Sequence, residues 1–403
     1  MSTHTFSENL HNIRMSPIVS ISEEVRKKAT EYKSATGKDF ILFQRGEIDF
    51  NTPQFIIDAA KRALDKGFTK YPKSGGEDIF KDAIIYKLDY SNHAKGFDRE
   101  NIVCTDGGQE ALELSFKLFE GKKGVGFAPC WSCVLENFVP YCATNFKQVP
   151  LEPDFSIDYD RLDKELEGAA FFYLNTPQNP TGKLFTKEEV TAIAELCLKH
   201  GAFLISDEAY EAIVFDNAKH FSPTSLEYDN IISTFTLSKS YAMTGWRLGY
   251  LVTRNKEITK ILKLGNYTQT AGVTTFLQHA AAEALSNKTE SEKAIANMVT
   301  EFQKRRDVFY DGLTKIEGMK VTKPAGGFYL FPNFSSFIPA NLNTNDRKVY
   351  IYNLLFKEGV ASVYGSCFGD YFIDNVRFSF STTPISIIEE GLERMKTIFK
   401  RLA

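Results

Sequence analysis

From about residue 100 onward the chain alternates short β-forming runs with helical stretches, which restricts it to a mainly parallel sheet with helices on both faces. The runs fall at 102–104, 125–128, 146–151, 169–174, 202–206, 231–236 and 249–253, with periodic helices expected over 109–119 and 187–200. Several runs are apolar almost throughout, as strands buried on both faces require. A helix is expected earlier, over 18–36, stopped by Gly37. Beyond residue 274 the texture changes. Long helices are expected over 275–285 and 292–313, then short strands at 319–321, 328–331 and 376–379. A closing helix runs to about 401, with Ser386 as N-cap and Glu389 completing a capping box. The expected architecture is α/β. A large unit over 51–290 holds the sheet between helices, and a smaller α+β unit over 291–403 is joined by the N-terminal segment 1–50. A length of 403 residues agrees, at about 150 residues per domain.

Charge and composition narrow the function. The net charge of −3 offers no basic field to nucleic acid. The short runs Arg26-Lys27-Lys28 and Lys304-Arg305-Arg306 sit among acids and read as solvated helix faces. The apolar runs are too short to cross a bilayer, and residues 1–16 are polar, without the apolar core of a signal peptide. Six scattered cysteines fit the reduced thiols of a cytoplasmic protein. No metal-ligand pattern is present, and the glycine loops match neither a P-loop nor a dinucleotide fingerprint.

In an open parallel sheet, ligands gather at the carboxyl ends of the strands. The residues there are Asp106-Gly107-Gly108, Pro129-Cys130-Trp131, residues 175–182, Asp207-Glu208-Ala209-Tyr210 and Ser238-Lys239. An anion, most simply a phosphate, would sit where Gly107 and Gly108 open the helix that starts near Gln109, because free N–H groups and the helix dipole point there. Thr236, Ser238 and Arg247 would complete that cup. Asp207, buried at a strand end, needs a cationic or donor partner, and a protonated ring nitrogen would be one. Asn179 and Tyr210 would each hydrogen-bond a phenolic oxygen, while Trp131 offers a flat face for stacking. Lys239, partly desolvated near Arg247, would have its pKa lowered toward the nucleophilic range. Phosphate, ring nitrogen, phenolic oxygen and an aldehyde for the lysine together describe pyridoxal 5'-phosphate.

At this point the chain resembles the class I and II aminotransferases of the fold-type-I pyridoxal-phosphate enzymes. The likeness runs from Gly46 to Ser379. It is carried by Gly46-Glu47-Ile48-Asp49-Phe50, Tyr71, Asp106-Gly107-Gly108, Trp131 and Asn175-Thr176-Pro177-Gln178-Asn179-Pro180-Thr181-Gly182. It continues through Ser206-Asp207-Glu208-Ala209-Tyr210, Ser238-Lys239, Met243-Thr244-Gly245-Trp246-Arg247-Leu248-Gly249-Tyr250 and Arg377. Taken singly, each of these residues has an ordinary structural reading; their order and spacing carry the site.

The resemblance implies that Lys239 holds the cofactor as a Schiff base and moves a proton at the substrate Cα. Asp207 keeps the pyridine nitrogen protonated, Tyr210 and Asn179 meet the phenolic oxygen, and Trp131 stacks on the ring. Gly107, Gly108, Gln109, Thr236, Ser238 and Arg247 hold the phosphate. Tyr71 reaches the phosphate of a neighbouring subunit, which implies a homodimer with shared sites. Arg377 grips the substrate α-carboxylate, with Gly46, Trp131 and Asn179 beside it. The implied activity is transfer of an amino group from an L-amino acid to a 2-oxo acid, commonly 2-oxoglutarate.

Other outcomes stay open. The same site would serve a lyase, decarboxylase or cyclase acting on an amino acid. From a different class, Cys130-Trp131-Ser132-Cys133 is a Cys-x-x-Cys that would serve a thiol oxidoreductase. A cofactor-binding regulator would need a DNA-binding module that the short N-terminal segment cannot supply. Departures from the family pattern point to a specialised donor or an altered reaction. Ile48 replaces a usual proline, and Gln109 stands where some aspartate-preferring relatives carry lysine. Gly327 and Tyr364 replace commoner alanine and proline. Arg45 either meets an anionic substrate group or points to solvent.

Overall fold

The computed structural model of the chain describes residues 7–402; the first six residues of the 1–50 segment and Ala403 lie outside the described residues. In chain order the strands are β1 (Ile41–Leu42), β2 (Ile102–Thr105), β3 (Lys123–Ala128), β4 (Asn145–Pro150), β5 (Phe171–Asn175), β6 (Phe203–Asp207), β7 (Ile231–Thr236), β8 (Gly249–Val252), β9 (Tyr329–Leu330), β10 (Val360–Ala361), β11 (Val363–Tyr364) and β12 (Val376–Ser379). Strands β2 to β8 form one seven-stranded sheet in the order β2-β8-β7-β6-β5-β3-β4. Strands β3 to β7 pair in parallel, whereas β8 runs antiparallel to both β7 and β2. The sheet is therefore mixed and mostly parallel.

Strict alternation dresses its two faces. Along β5, Phe172 and Leu174 join Val190, Ile193, Ala194 and Cys197 of the helix Lys187–Lys199. Phe171 and Tyr173 instead meet Leu112 and Phe116 of the helix Gly108–Lys117. Each fully buried phenylalanine here contributes about 1.5–3 kcal/mol over an exposed one. Helices on both faces leave only the strand ends open, and there the polar groups collect.

The C-terminal part packs separately. Strands β11, β12 and β9 form a small antiparallel sheet over the helices Lys288–Thr314 and Ile385–Lys400. Phe43, Phe302, Phe309, Phe378, Leu392 and Met395 lie in one buried cluster between them. The N-terminal segment is tied to this part. Strand β1 pairs in parallel with β10, and Arg394 donates to the carbonyls of Asp39 and Gly359. The helix Pro17–Thr36 ends at Gly37 with φ 72°, the left-handed cap that its glycine signals.

Some expectations need correction. The helix expected from 292 starts at Lys288, because Asn287 caps it by accepting from the Glu290 N–H. No strand forms over 319–321; Lys320 makes an isolated bridge to Asn333. The closing helix begins at Ile385, and the Pro384 carbonyl already accepts from the N–H groups of Ile387 and Ile388. Ser386 thus lies inside the first turn and makes no cap. Lys304-Arg305-Arg306 is not a solvated face: Arg305 and Arg306 are buried. Arg305 pairs with Asp49 and Glu301, and Arg306 pairs with Asp216 and Asp307 while lying over the Phe215 ring. No helix among the described residues is long and apolar enough to cross a membrane.

Candidate active site

The loops after β2, β3, β5, β6 and β7 open onto one cleft of about 350 Å³, closed from the other side by Gly46, Tyr329 and Arg377. The strands carry Gly108, Gln109, Trp131, Asn179, Asp207, Tyr210, Thr236, Ser238 and Lys239 to its wall. Gly107 lies just behind. Tyr71 does not reach the cleft: it is 93% exposed and belongs to a separate groove with Phe68 and Thr275.

Two opposite charges are buried here without ionic partners. Asp207 ends β6; its Oδ2 accepts from the Tyr173 hydroxyl at 2.8 Å and its Oδ1 from the Ala209 N–H at 3.2 Å. Burial pushes its carboxyl from the ordinary 3.8 up to about 6, against the pull of those two donors. Arg377, on β12, is fully buried; its Nη1 donates to Asn179 Oδ1 at 3.0 Å and its Nη2 to the Gln44 carbonyl at 2.9 Å. Its Nε has no partner, and its guanidinium lies 4.4 Å from the centre of the Tyr329 ring. Among the described residues no carboxylate lies within 4 Å of Arg377, and no lysine or arginine within 4 Å of Asp207. A buried ion without a counter-ion is costly, so the cleft suits a ligand that brings a cationic donor to one end and an anion to the other.

Lys239 lines the same cleft. It sits in the short helix Leu237–Ser240, and its Nζ donates to the Gly46 carbonyl at 2.6 Å. Burial lowers its pKa from 10.5 to about 8; Glu47 opposes the shift, and the positive charges of Arg377 and Arg247 add to it. The neutral amine therefore appears as pH rises through about 8. In protein freed of small molecules, acylation of Lys239 should reach half its maximal rate near that pH, read by peptide mass, while surface lysines stay near about 10.4. A midpoint shared with surface lysines would contradict the burial argument.

Free N–H groups, two hydroxyls and an arginine gather at one end of the cleft. Gly107 adopts φ 85° and precedes the helix Gly108–Lys117, leaving its first N–H groups free. Arg247 donates to the carbonyls of Asp106 and Thr244, and Thr236 Oγ1 lies 2.8 Å from Ser238 Oγ. The fit is close: a Cβ added at Gly107 would lie 2.6 Å from Arg247 Nη2.

Other groups are placed differently from expectation, or were not foreseen. The Tyr210 hydroxyl lies 3.0 Å from that of Tyr329, a residue without its own sequence signal. Tyr173 was also missed, although it shares a strand face with Asn175, and Asn175 lies beside Asp207 in register. Ser16, Ile18 and Val19 form a cleft wall that no motif announced. Arg45 is exposed and lies outside the cleft lining. The dithiol reading is not supported. Cys130 is buried with its thiol pushed far up by that burial, and burial pushes Cys133 up to about 11. A reactive thiol needs the opposite shift.

Comparison with known proteins agrees with this geometry. A family model described as aminotransferase class I and II matches residues 38–395. A probable aspartate/prephenate aminotransferase of Aquifex aeolicus (strain VF5) is 36% identical over 404 residues, covering 98% of this chain and 99% of that protein. An aspartate aminotransferase of Geobacillus stearothermophilus is 35% identical over 383 residues, covering 92% of this chain and 94% of that protein. Among solved structures, aspartate aminotransferase from Thermus thermophilus with maleate matches with a TM-score of 0.89 at 28% identity, covering 98% of this chain and 100% of that one.

Proposed function

This chain belongs to the class I and II aminotransferases, and from that membership we propose that it works with pyridoxal 5'-phosphate held by Lys239 as a Schiff base. It is an aminotransferase, moving an amino group from an amino acid to a 2-oxo acid. The observation that carries the cofactor reading is the pair of uncompensated buried charges, Asp207 and Arg377, sharing one cleft with a lysine whose pKa burial lowers. The residues fit the group: Asp207 for a ring N–H, the Gly107–Arg247 cup for a phosphate, and Lys239 for an aldehyde. When bound, pyridoxal phosphate supplies that aldehyde and a ring that takes up the electron pair left at Cα.

The chain's own residues do the rest. Arg377 turns its guanidinium to the substrate α-carboxylate and fixes the Cα–H bond toward Lys239. Lys239 Nζ, neutral from about pH 8 upward, would take the proton from Cα and deliver it to the cofactor carbon that had carried the aldehyde, which leaves the nitrogen on the cofactor. Asp207 holds a proton on the ring nitrogen, and Tyr173 keeps the carboxylate aimed. Asn179 has its Oδ1 occupied by Arg377 and keeps Nδ2 to donate to the phenolic oxygen; Tyr210 donates beside it. Trp131 covers the ring, while Gly108, Gln109, Thr236 and Ser238 join the phosphate cup.

Residues 51–290 serve as the cofactor-holding unit, and 291–403 with 1–50 as the unit that brings Arg377. Tyr71, bare in one chain, serves the site of a second copy, which makes the working form a homodimer. The exposed Ile261, Leu264 and Tyr267 on one helix support such a contact. The six free cysteines support a cytoplasmic setting.

The test is a half-reaction. Protein loaded with the cofactor and given an amino donor alone should release one 2-oxo acid per site and stop. A lyase, decarboxylase or cyclase would keep turning over under the same conditions, and that result would overturn the reading.

A further inference from the structure

Resting on that reading, we infer that Tyr329 is a positioning residue: its hydroxyl donates to the Tyr210 oxygen and so commits the Tyr210 proton to the phenolic oxygen of the cofactor. The small sheet places it for this. Ser379 of β12 pairs in register with Tyr329 of β9. Arg377 lies two residues back along β12, so it shares a sheet face with Ser379 and Tyr329. Its guanidinium accordingly rests 4.4 Å from the centre of the Tyr329 ring. The tip of that ring meets Tyr210, three residues beyond the end of β6. Both side chains are buried, their hydroxyls are 3.0 Å apart, and their rings cross at 84°. A Cβ built on Gly46 would lie 2.5 Å from the Tyr329 oxygen, so the hydroxyl is held against that backbone.

Proton counting decides the direction of the bond. Either hydroxyl could donate across the gap, and each carries one proton. Burial pushes both phenols above the ordinary 10, so both stay protonated at neutral pH. If Tyr210 spent its proton on Tyr329, it would turn a lone pair to the phenolic oxygen, and two acceptors would face each other in a buried site. With Tyr329 as donor, the Tyr210 proton is left for the cofactor and both hydrogen bonds are made. The charge of Arg377 beside its ring strengthens Tyr329 in that role.

The loaded enzyme reports on this without turnover. The Schiff-base nitrogen holds its proton through the negative charge of the phenolic oxygen, and the absorbance changes when that proton leaves. Donors to the phenolic oxygen draw off that charge and lower the pH of the change. Tyr329→Phe keeps the ring beside Arg377 and removes the hydroxyl. The midpoint of the spectral titration is expected to rise by about 0.5–1 pH unit, the scale of one hydrogen bond. Turnover should fall by about three- to tenfold. KM for the amino donor should stay within about twofold, because the carboxylate grip keeps its ring. In a Tyr210→Phe background the same substitution should move the midpoint by less than about 0.2 unit, since the hydroxyl acts only through Tyr210. A residue that only packs would move neither midpoint, and one that touched the cofactor directly would move both alike. The inference is overturned if Tyr329→Phe leaves the midpoint in place or lowers it, or if it shifts both backgrounds equally. Protein that gains no mass on borohydride treatment with the cofactor would sink the functional reading itself, a result distinct from an unmoved midpoint in loaded enzyme.

Discussion

Lys239→Ala is expected to lower aminotransferase turnover by about 10⁴-fold or more, because one substitution removes both the covalent attachment and the proton carrier. The fold should survive it. The lysine's polar contact is one hydrogen bond to the Gly46 carbonyl, and its charge is already disfavoured by burial. The unfolding temperature without cofactor should therefore stay within about 3 °C of the parent. Mass analysis after borohydride reduction separates the two lost roles. The parent gains the mass of the reduced cofactor on the peptide holding residue 239, whereas the variant binds the cofactor only reversibly. If the variant keeps a tenth of parental turnover, or still fixes the cofactor at another lysine, the assignment of Lys239 is wrong. Methylamine added to the variant should restore part of the lost rate, since a free amine can enter the space left by the side chain and carry the proton.

The main sheet was legible because most of its strands are apolar on both faces and separated by helical periods, so the pattern fixes the type of sheet, though not the order of its strands. What remained hidden follows from the same physics. The reversed direction of β8 is a matter of pairing, to which an apolar run such as Gly249–Val252 is indifferent. The edge strand β4 is more exposed than the central strands, with Phe146 and Val149 packing on opposite faces of the sheet. Helices such as Gln54–Asp65 and Lys256–Thr270 were not singled out in the sequence, although the second follows β8 directly. Within the site, the motif residues converge because strand ends must. The Tyr173 hydroxyl and the Ser16–Val19 wall come from elements whose local sequence is ordinary; their role arises where they dock. Arg305 and Arg306 show the reverse error. A basic run looks solvated until its partners, Asp49 and Asp216, arrive from more than 80 residues away.

Asp207→Ala should separate folding from function most cleanly. In cofactor-free protein the carboxylate is a liability. Its pKa stands at about 6 when folded against an ordinary 3.8, so the folded form binds its proton more tightly. The sign follows: the cost of burying the charge is full above pH 6, fades between 6 and 3.8, and vanishes below. Removing the carboxylate lifts that cost at neutral pH, while the Tyr173 hydroxyl loses its acceptor. The variant without cofactor should unfold no more than about 3 °C below the parent. With cofactor the balance reverses. A buried charge facing a protonated ring nitrogen is worth about 2–5 kcal/mol when one partner is truncated, so affinity for pyridoxal phosphate should fall about 30-fold or more. Turnover at saturating cofactor should fall by about 10³-fold, since the group that holds a proton on the ring nitrogen is gone. Asp207→Asn keeps the shape and loses the charge, and it should lose turnover nearly as far. A variant that bound and turned over like the parent would mean that the ring nitrogen lies elsewhere, and the orientation of the whole site would have to be reversed.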